Sequence, residues 1–178
     1  AIEKCTSFYP GNTCNPLFPP KLSNGKCSLN ANVDRLTKTC EMEFAPNGKM
    51  VDYNIYKAVI RSRKEMKYSE VNKVLDGEIV PGYENFVEQL NLLKDLNNNI
   101  FEVKRKKRNC LDFDLHEIEK VQDEEGVTKK FTVRGDGIAE RIIENCMLTT
   151  GTTIAEHYSW LPFMYRVQES PNLESIKN

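Results

Sequence analysis

The segment TKTCEMEFAPNGKMVDYNIYKAVIRS constrains the fold more than any other stretch of the chain. Its two halves alternate apolar and polar residues, the period of a half-buried strand, and Pro46-Asn47-Gly48 between them supplies turn-forming residues. A slip of one residue would send every apolar side chain to the opposite face, so pattern and turn together fix one register. The segment predicts an antiparallel hairpin with strands near Cys40 to Phe44 and Val51 to Val59.

Residues 1 to 30 behave differently. Pro10, Gly11, Pro16, Pro19, Pro20, Asn24 and Gly25 punctuate them too densely for a long helix or a central strand, which predicts an extended or looping arm. Beyond the hairpin, Lys67 to Leu75 reads as a short helix with Tyr68, Val71, Val74 and Leu75 inward, stopped at Asp76-Gly77. From Tyr83, the apolar residues Phe86, Leu90, Leu93, Leu96, Ile100 and Val103 recur in steps of three or four, predicting an amphipathic helix to about Arg108. Its basic tail, Lys104 to Arg108, complements the negative helix end; this explains the charge run more simply than a phosphate track does.

A second hairpin is expected from the alternation in residues 111 to 123 and 127 to 133 around Asp123-Glu124-Glu125-Gly126. A third helix follows from about Gly137, with Ile138, Ile142, Ile143, Cys146, Met147 and Ile154 as its apolar face and Gly151 as a point of weakness. The fold class is α+β: two β-hairpins, or a mixed antiparallel sheet, packed with three helices in one domain over 1–178.

Composition excludes several functional classes. No apolar run approaches the roughly 20 residues of a membrane span, so a soluble, cytoplasmic protein without a membrane partner is expected. Lys plus Arg number 25 against 26 Asp plus Glu, a net charge of −1, so any nucleic-acid contact must be local rather than driven by an overall basic field. Six cysteines lie far apart with no CxxC pair, which argues against a zinc knuckle or redox motif and favours reduced, partly buried thiols.

The signal for independent catalysis is weak. In LDFDLHEIE, strand geometry would put Asp112, Asp114 and His116 on one side, a hard-metal or acid-base arrangement, although a solvated strand face accounts for the same pattern. Neither His116 nor His157 has a serine or cysteine at a recognisable triad spacing, and no Walker loop or GxGxxG cradles a phosphate. Tyr9, Phe113 and Tyr165-Arg166 offer stacking rings with a nearby cation, the combination that binds unpaired bases, and packing is the competing role for each.

Five segments carry a resemblance that covers nearly the whole chain in order. PLFPPKLSNGKCSLNANVDRLTKTCEMEF is similar to the pattern PMLPxxLSNGxCSLNPxVDRLxxxCEM of the ribonuclease II and ribonuclease R family of exoribonucleases. The likeness continues through VIRSRKEMKYSEVNKVL, the basic stretch before LDFD, IAERIIENCML and PFMYRVQESP. Bacterial ribonuclease R is the pattern it resembles most, which implies a place in the central part of the RNB catalytic domain. The family removes nucleoside 5′-monophosphates from the 3′ end of single-stranded RNA by metal-assisted hydrolysis, with Mg2+ as the implied cofactor.

By position, the resemblance implies that Tyr9 stacks near the RNA 3′ end, that Phe113 packs against the terminal base and that Glu144 borders the terminal-nucleotide pocket. Asn145 stands where the family has a second glutamate, Gly151 where it has an asparagine, Gln168 where it has a histidine and Ala31 where it has a proline. The family's aspartate cluster and its arginine-bearing TSPIRRYxD segment have no counterpart in these residues, so neither catalytic residues nor metal ligands are carried over. The expectation is a wall of the RNA channel that is inactive alone; a noncatalytic RNA-binding or protein-interaction module on the same scaffold is the alternative.

Overall fold

In a computed structural model, the structure describes residues 5–9, 13–101, 117–123, 127–134 and 137–167. Strands β1 (Asp34–Phe44) and β2 (Met50–Arg61) form an antiparallel pair in which Asp34 opposes Arg61 and Met42 opposes Tyr53. The expected hairpin is present and its strands are longer than the sequence pattern marks. At the turn, Gly48 takes φ 81°, a left-handed conformation natural to glycine. Its N–H donates to Ala45 O at 2.8 Å, and the Asn47 carboxamide accepts from Lys49 N at 3.0 Å.

Helix α1 (Tyr68–Leu75) buries Val71, Val74 and Leu75. Tyr68, the first residue of the helix, is exposed, not inward as the spacing suggests. Gly77 ends the helix with φ 91°, and Lys94 donates to Leu75 O at 2.8 Å, satisfying a terminal carbonyl from the neighbouring helix.

The helix predicted from Tyr83 is built in three parts. A 3-10 turn, Glu84–Phe86, leads into α2 (Val87–Leu96), and a π-helical turn, Asn97–Phe101, follows. Leu90, Asn97 and Phe101, spaced by seven and four residues, are buried along one helical face. Leu93 is left exposed. The expected continuation over 102–108 lies outside the described residues.

Strands β3 (Glu117–Gln122) and β4 (Thr128–Arg134) form the second hairpin, closed by Val127 N donating to the Asp123 carboxylate at 2.8 Å. Residues 111–116, expected in the same strand, lie outside the described residues. Ile118, Val121 and Phe131 are exposed.

Helix α3 (Ile138–His157) is continuous through Gly151. Its buried stripe runs through Ala139, Ile142, Asn145 and Thr153, whereas Ile143 and Met147, which the apolar pattern assigns inward, are exposed. The core joins Val71, Val74, Leu75, Tyr83, Leu90, Ala139 and Ile142 from the three helices and the segment before α2. The turn end of the first hairpin docks on this layer: Phe44 meets Phe101 edge to face at 6.1 Å, and Met42 and Met50 place their sulfurs 3.5 and 3.8 Å from the Thr153 hydroxyl. That hydroxyl satisfies itself on Thr149 O at 2.9 Å, so the methionine contacts are packing.

The arm also holds a short π-helical turn, Lys21–Lys26, opened by Pro20, which the proline and glycine spacing does not predict. Proline serves at the first turn of a helix because its missing N–H would have had no partner there. The five described cysteines form no disulfide with one another; Cys5, Cys14 and Cys27 are exposed rather than partly buried, whereas burial pushes the Cys40 and Cys146 thiols up in pKa. Among the described residues, no helix is long and apolar enough to cross a membrane.

Candidate nucleic-acid interface

Tyr9 is on the arm. Phe8 and Asn15 exchange two backbone hydrogen bonds, Phe8 N to Asn15 O at 3.0 Å and Asn15 N to Phe8 O at 2.8 Å, and Ser7 Oγ accepts from Leu17 N at 3.0 Å. These bonds join the stretch before Tyr9 to the stretch from Asn15, and the Tyr9 side chain is 69% exposed. An exposed phenol next to a hydrogen-bonded stretch of backbone presents a ring face on which a base can stack.

Glu144 is on α3, facing out. Steps of three and four from it reach Met147, Leu148 and Gly151, so these residues share a helix face turned away from the core stripe. Met147 and Leu148 are exposed, an unusual face for a buried-looking helix sequence. Asn145 points the other way. It is 3% exposed and donates to Asn97 Oδ1 at 2.8 Å, so the departure from the family pattern at this position changes interior packing, not the Glu144 surface.

After α3 the chain folds back along this face. Phe163, Met164, Tyr165 and Arg166 and the helix residues Met147, Leu148, Gly151 and Ala155 line a groove of about 800 Å³. The missing side chain at Gly151 keeps its floor low: nothing lies within 4 Å of where a Cβ would stand. Tyr165 pins the returning segment by donating its hydroxyl to Tyr158 O at 2.6 Å.

An aromatic row runs beside the groove. Tyr53 of β2 contacts His157 edge to face at 5.7 Å and shares a 3.2 Å hydrogen bond between its hydroxyl and His157 Nδ1. His157 abuts Tyr158 at 4.7 Å, Tyr158 stacks on Phe163 at 5.5 Å with ring planes 19° apart, and Phe163 meets Tyr165 at 5.6 Å. Sequence spacing singles out Tyr165-Arg166 but misses Tyr53 and the role of His157. They are 104 residues apart, and only the docking of the hairpin on α3 joins them.

The structure thus places Tyr9 on the arm and Glu144 on α3, two separate elements, and Phe113 lies outside the described residues. Asp112, Asp114 and His116 lie outside them too. Among the described residues no group of three His, Cys, Asp or Glu is placed to hold a metal ion, so the residues described do not fit a Mg2+ centre. Exposed rings next to an arginine can hold unpaired bases and a phosphate without reading sequence.

A model described as RNB domain matches residues 1–178. Ribonuclease R 1 of Lactococcus lactis is 35% identical over 181 residues, covering 99% of this chain and 22% of the relative. Ribonuclease R of Thermotoga maritima is 39% identical over 179 residues, covering 99% of this chain and 25% of the relative. Among solved structures, Mycoplasma genitalium RNase R in complex with ribose-methylated single-stranded RNA superposes with a TM-score of 0.87 at 30% identity, over 98% of this chain and 28% of that one. The same RNase R in complex with double-stranded RNA gives 0.80 at 31% identity, over 88% of this chain and 28% of that one. The chain spans about a quarter of the length of the relatives it matches.

Proposed function

Because the chain belongs to the RNB domain family, whose model spans it from end to end, we propose that it is the central part of the catalytic domain of a 3′-to-5′ exoribonuclease. The parent hydrolyses single-stranded RNA to nucleoside 5′-monophosphates, and this chain supplies a wall of the RNA channel. The observation that carries the proposal is the superposition, over 98% of the chain, on an RNase R bound to single-stranded RNA.

In this reading Tyr9, Phe113 and Glu144 form the grip on the 3′-terminal nucleotides. The exposed Tyr9 ring suits the role, since stacking holds any base by roughly 1–3 kcal/mol without sequence preference, which processive digestion requires. Phe163, Tyr165 and Arg166 along the groove extend the surface that RNA meets. Hydrolysis in the parent uses Mg2+ held by carboxylates elsewhere in the catalytic domain. The chain alone is inactive.

Fluorescence anisotropy of a labelled ten-nucleotide oligoadenylate, run beside a mononucleotide-release assay with Mg2+, tests this. The expected results are binding that weakens about tenfold in Tyr9→Ala, as loss of one stacked base predicts, and no release. Turnover by the chain alone, or binding unaltered by the substitution, would overturn it.

A further inference from the structure

The groove wall formed by Phe163, Met164, Tyr165 and Arg166 has no helix or strand of its own, since residues 162–167 are irregular backbone. Such a segment keeps one position only where side chains and loop hydrogen bonds tie it to a regular element. The Tyr165 hydroxyl donates to Tyr158 O at 2.6 Å, Leu161 N donates to the same carbonyl at 2.9 Å, and Phe163 stacks on the Tyr158 ring with planes 19° apart. All three ties end on Tyr158, the residue that closes α3.

Tyr158 is held in turn from the other side. His157 lies between two rings, nearly at right angles to each: Tyr53 at 5.7 Å and 84°, and Tyr158 at 4.7 Å and 88°. Its Nδ1 shares the 3.2 Å hydrogen bond with the Tyr53 hydroxyl. An imidazole held by a directional bond on one side and an edge-to-face contact on the other cannot turn without losing one of them. One helical turn earlier, Thr153 packs against Met42 and Met50 of the same hairpin, so β1–β2 meets α3 at two consecutive turns. The packing at Thr153 is non-directional, whereas the bond at His157 fixes the orientation of the row. These contacts are internal to the chain and do not depend on what lies over its outer surface.

We propose that Tyr53 and His157 are positioning residues for the groove wall: through Tyr158, their hydrogen bond sets where Phe163, Tyr165 and Arg166 stand. This role rests on the reading that the groove receives single-stranded RNA, and it puts the wall under the control of a hairpin residue 104 positions away in sequence. A radial gap of about 0.5–1 Å forfeits a quarter to a half of a dispersion contact, so a wall that drifts loses its hold on a base.

The chain's single tryptophan, Trp160, stands in the turn between Tyr158 and Phe163 and reports on this segment. The measurements are the emission anisotropy of Trp160 and the affinity for the labelled ten-nucleotide oligoadenylate, both on full chain whose fold circular dichroism verifies. Tyr53→Phe and His157→Phe each keep a ring in place and delete the bond. Each should lower the Trp160 anisotropy and weaken oligoadenylate by about threefold to tenfold, the worth of one hydrogen bond. The double variant should weaken it no further than either single one, since the same bond is lost in all three. A merely structural bond would lower the unfolding midpoint and leave the affinity of the folded chain unchanged. Single variants that bind as the unaltered chain does while Tyr9→Ala weakens binding, or losses that multiply in the double variant, would overturn the positioning role and leave the RNA reading standing. Failure of the unaltered chain to bind oligoadenylate would remove that reading and this role with it.

Discussion

Asn145 of α3 donates from Nδ2 to Asn97 Oδ1 at 2.8 Å, and both carboxamides are buried, at 3% and 1% exposure. A buried amide pair ties the π turn after α2 to the inner stripe of α3 at the level of Glu144. The pair fixes how the two helices meet, because an interior amide must meet a partner or lose its hydration without replacement.

Asn145→Leu should therefore destabilise the chain by about 1–3 kcal/mol, the cost of stranding the Asn97 carbonyl, and shift the urea midpoint without changing its slope. In Asn97→Leu/Asn145→Leu, where neither group is left unpaired, the loss should be smaller than the sum of the single losses. Strict additivity would show that the bond is not a coupled one.

Gly137 and Asn72 should behave as a second coupled pair. Gly137 opens α3 without a capping side chain, and Asn72 of α1 supplies the cap from across the interface: its Oδ1 accepts Ala139 N–H at 2.9 Å and its Nδ2 donates to Glu140 Oε2 at 2.9 Å. A Cβ at Gly137 would come 2.7 Å from Asn72 Cγ. Gly137→Ala should cost about 1–3 kcal/mol by that clash, and Asn72→Ala about 1 kcal/mol through the lost cap. In the Asn72→Ala background the glycine substitution should cost less, as chemical denaturation of the four variants would reveal.

Tyr83 makes stability depend on alkaline pH. Its ring is 1% exposed and its hydroxyl donates to Glu70 Oε2 at 2.6 Å while accepting Lys67 N–H at 3.3 Å. Burial first, then the Glu70 hydrogen bond, raises the phenol above its ordinary 10.0. The folded chain thus holds the phenolic proton more tightly than the unfolded chain. The contribution is complete below pH 10.0 and is lost as pH climbs through the raised value. Tyr83→Phe should lower stability at pH 7 by about 1–2 kcal/mol and make the decline above pH 10.0 shallower. Tyr56, raised by its bond to Glu41, keeps a residual slope.

Local residue order was enough to predict both hairpins, α1 with its glycine stop and the start of α3, because strand alternation, turn residues and helix ends are short-range properties. The RNB pattern was legible for the same reason, being written in contiguous motifs. Hydrophobic periodicity could not anticipate that the polar Asn97 would share the buried face of Leu90 and Phe101 while Leu93 stays exposed, since Asn97 is held inside by a partner on another helix, Asn145. Nor could it pair Tyr53 with His157 or set Asn72 over the start of α3. Those relationships depend on which surfaces meet once distant segments pack, and side-chain packing across a hundred residues of separation is a property of the assembled structure alone.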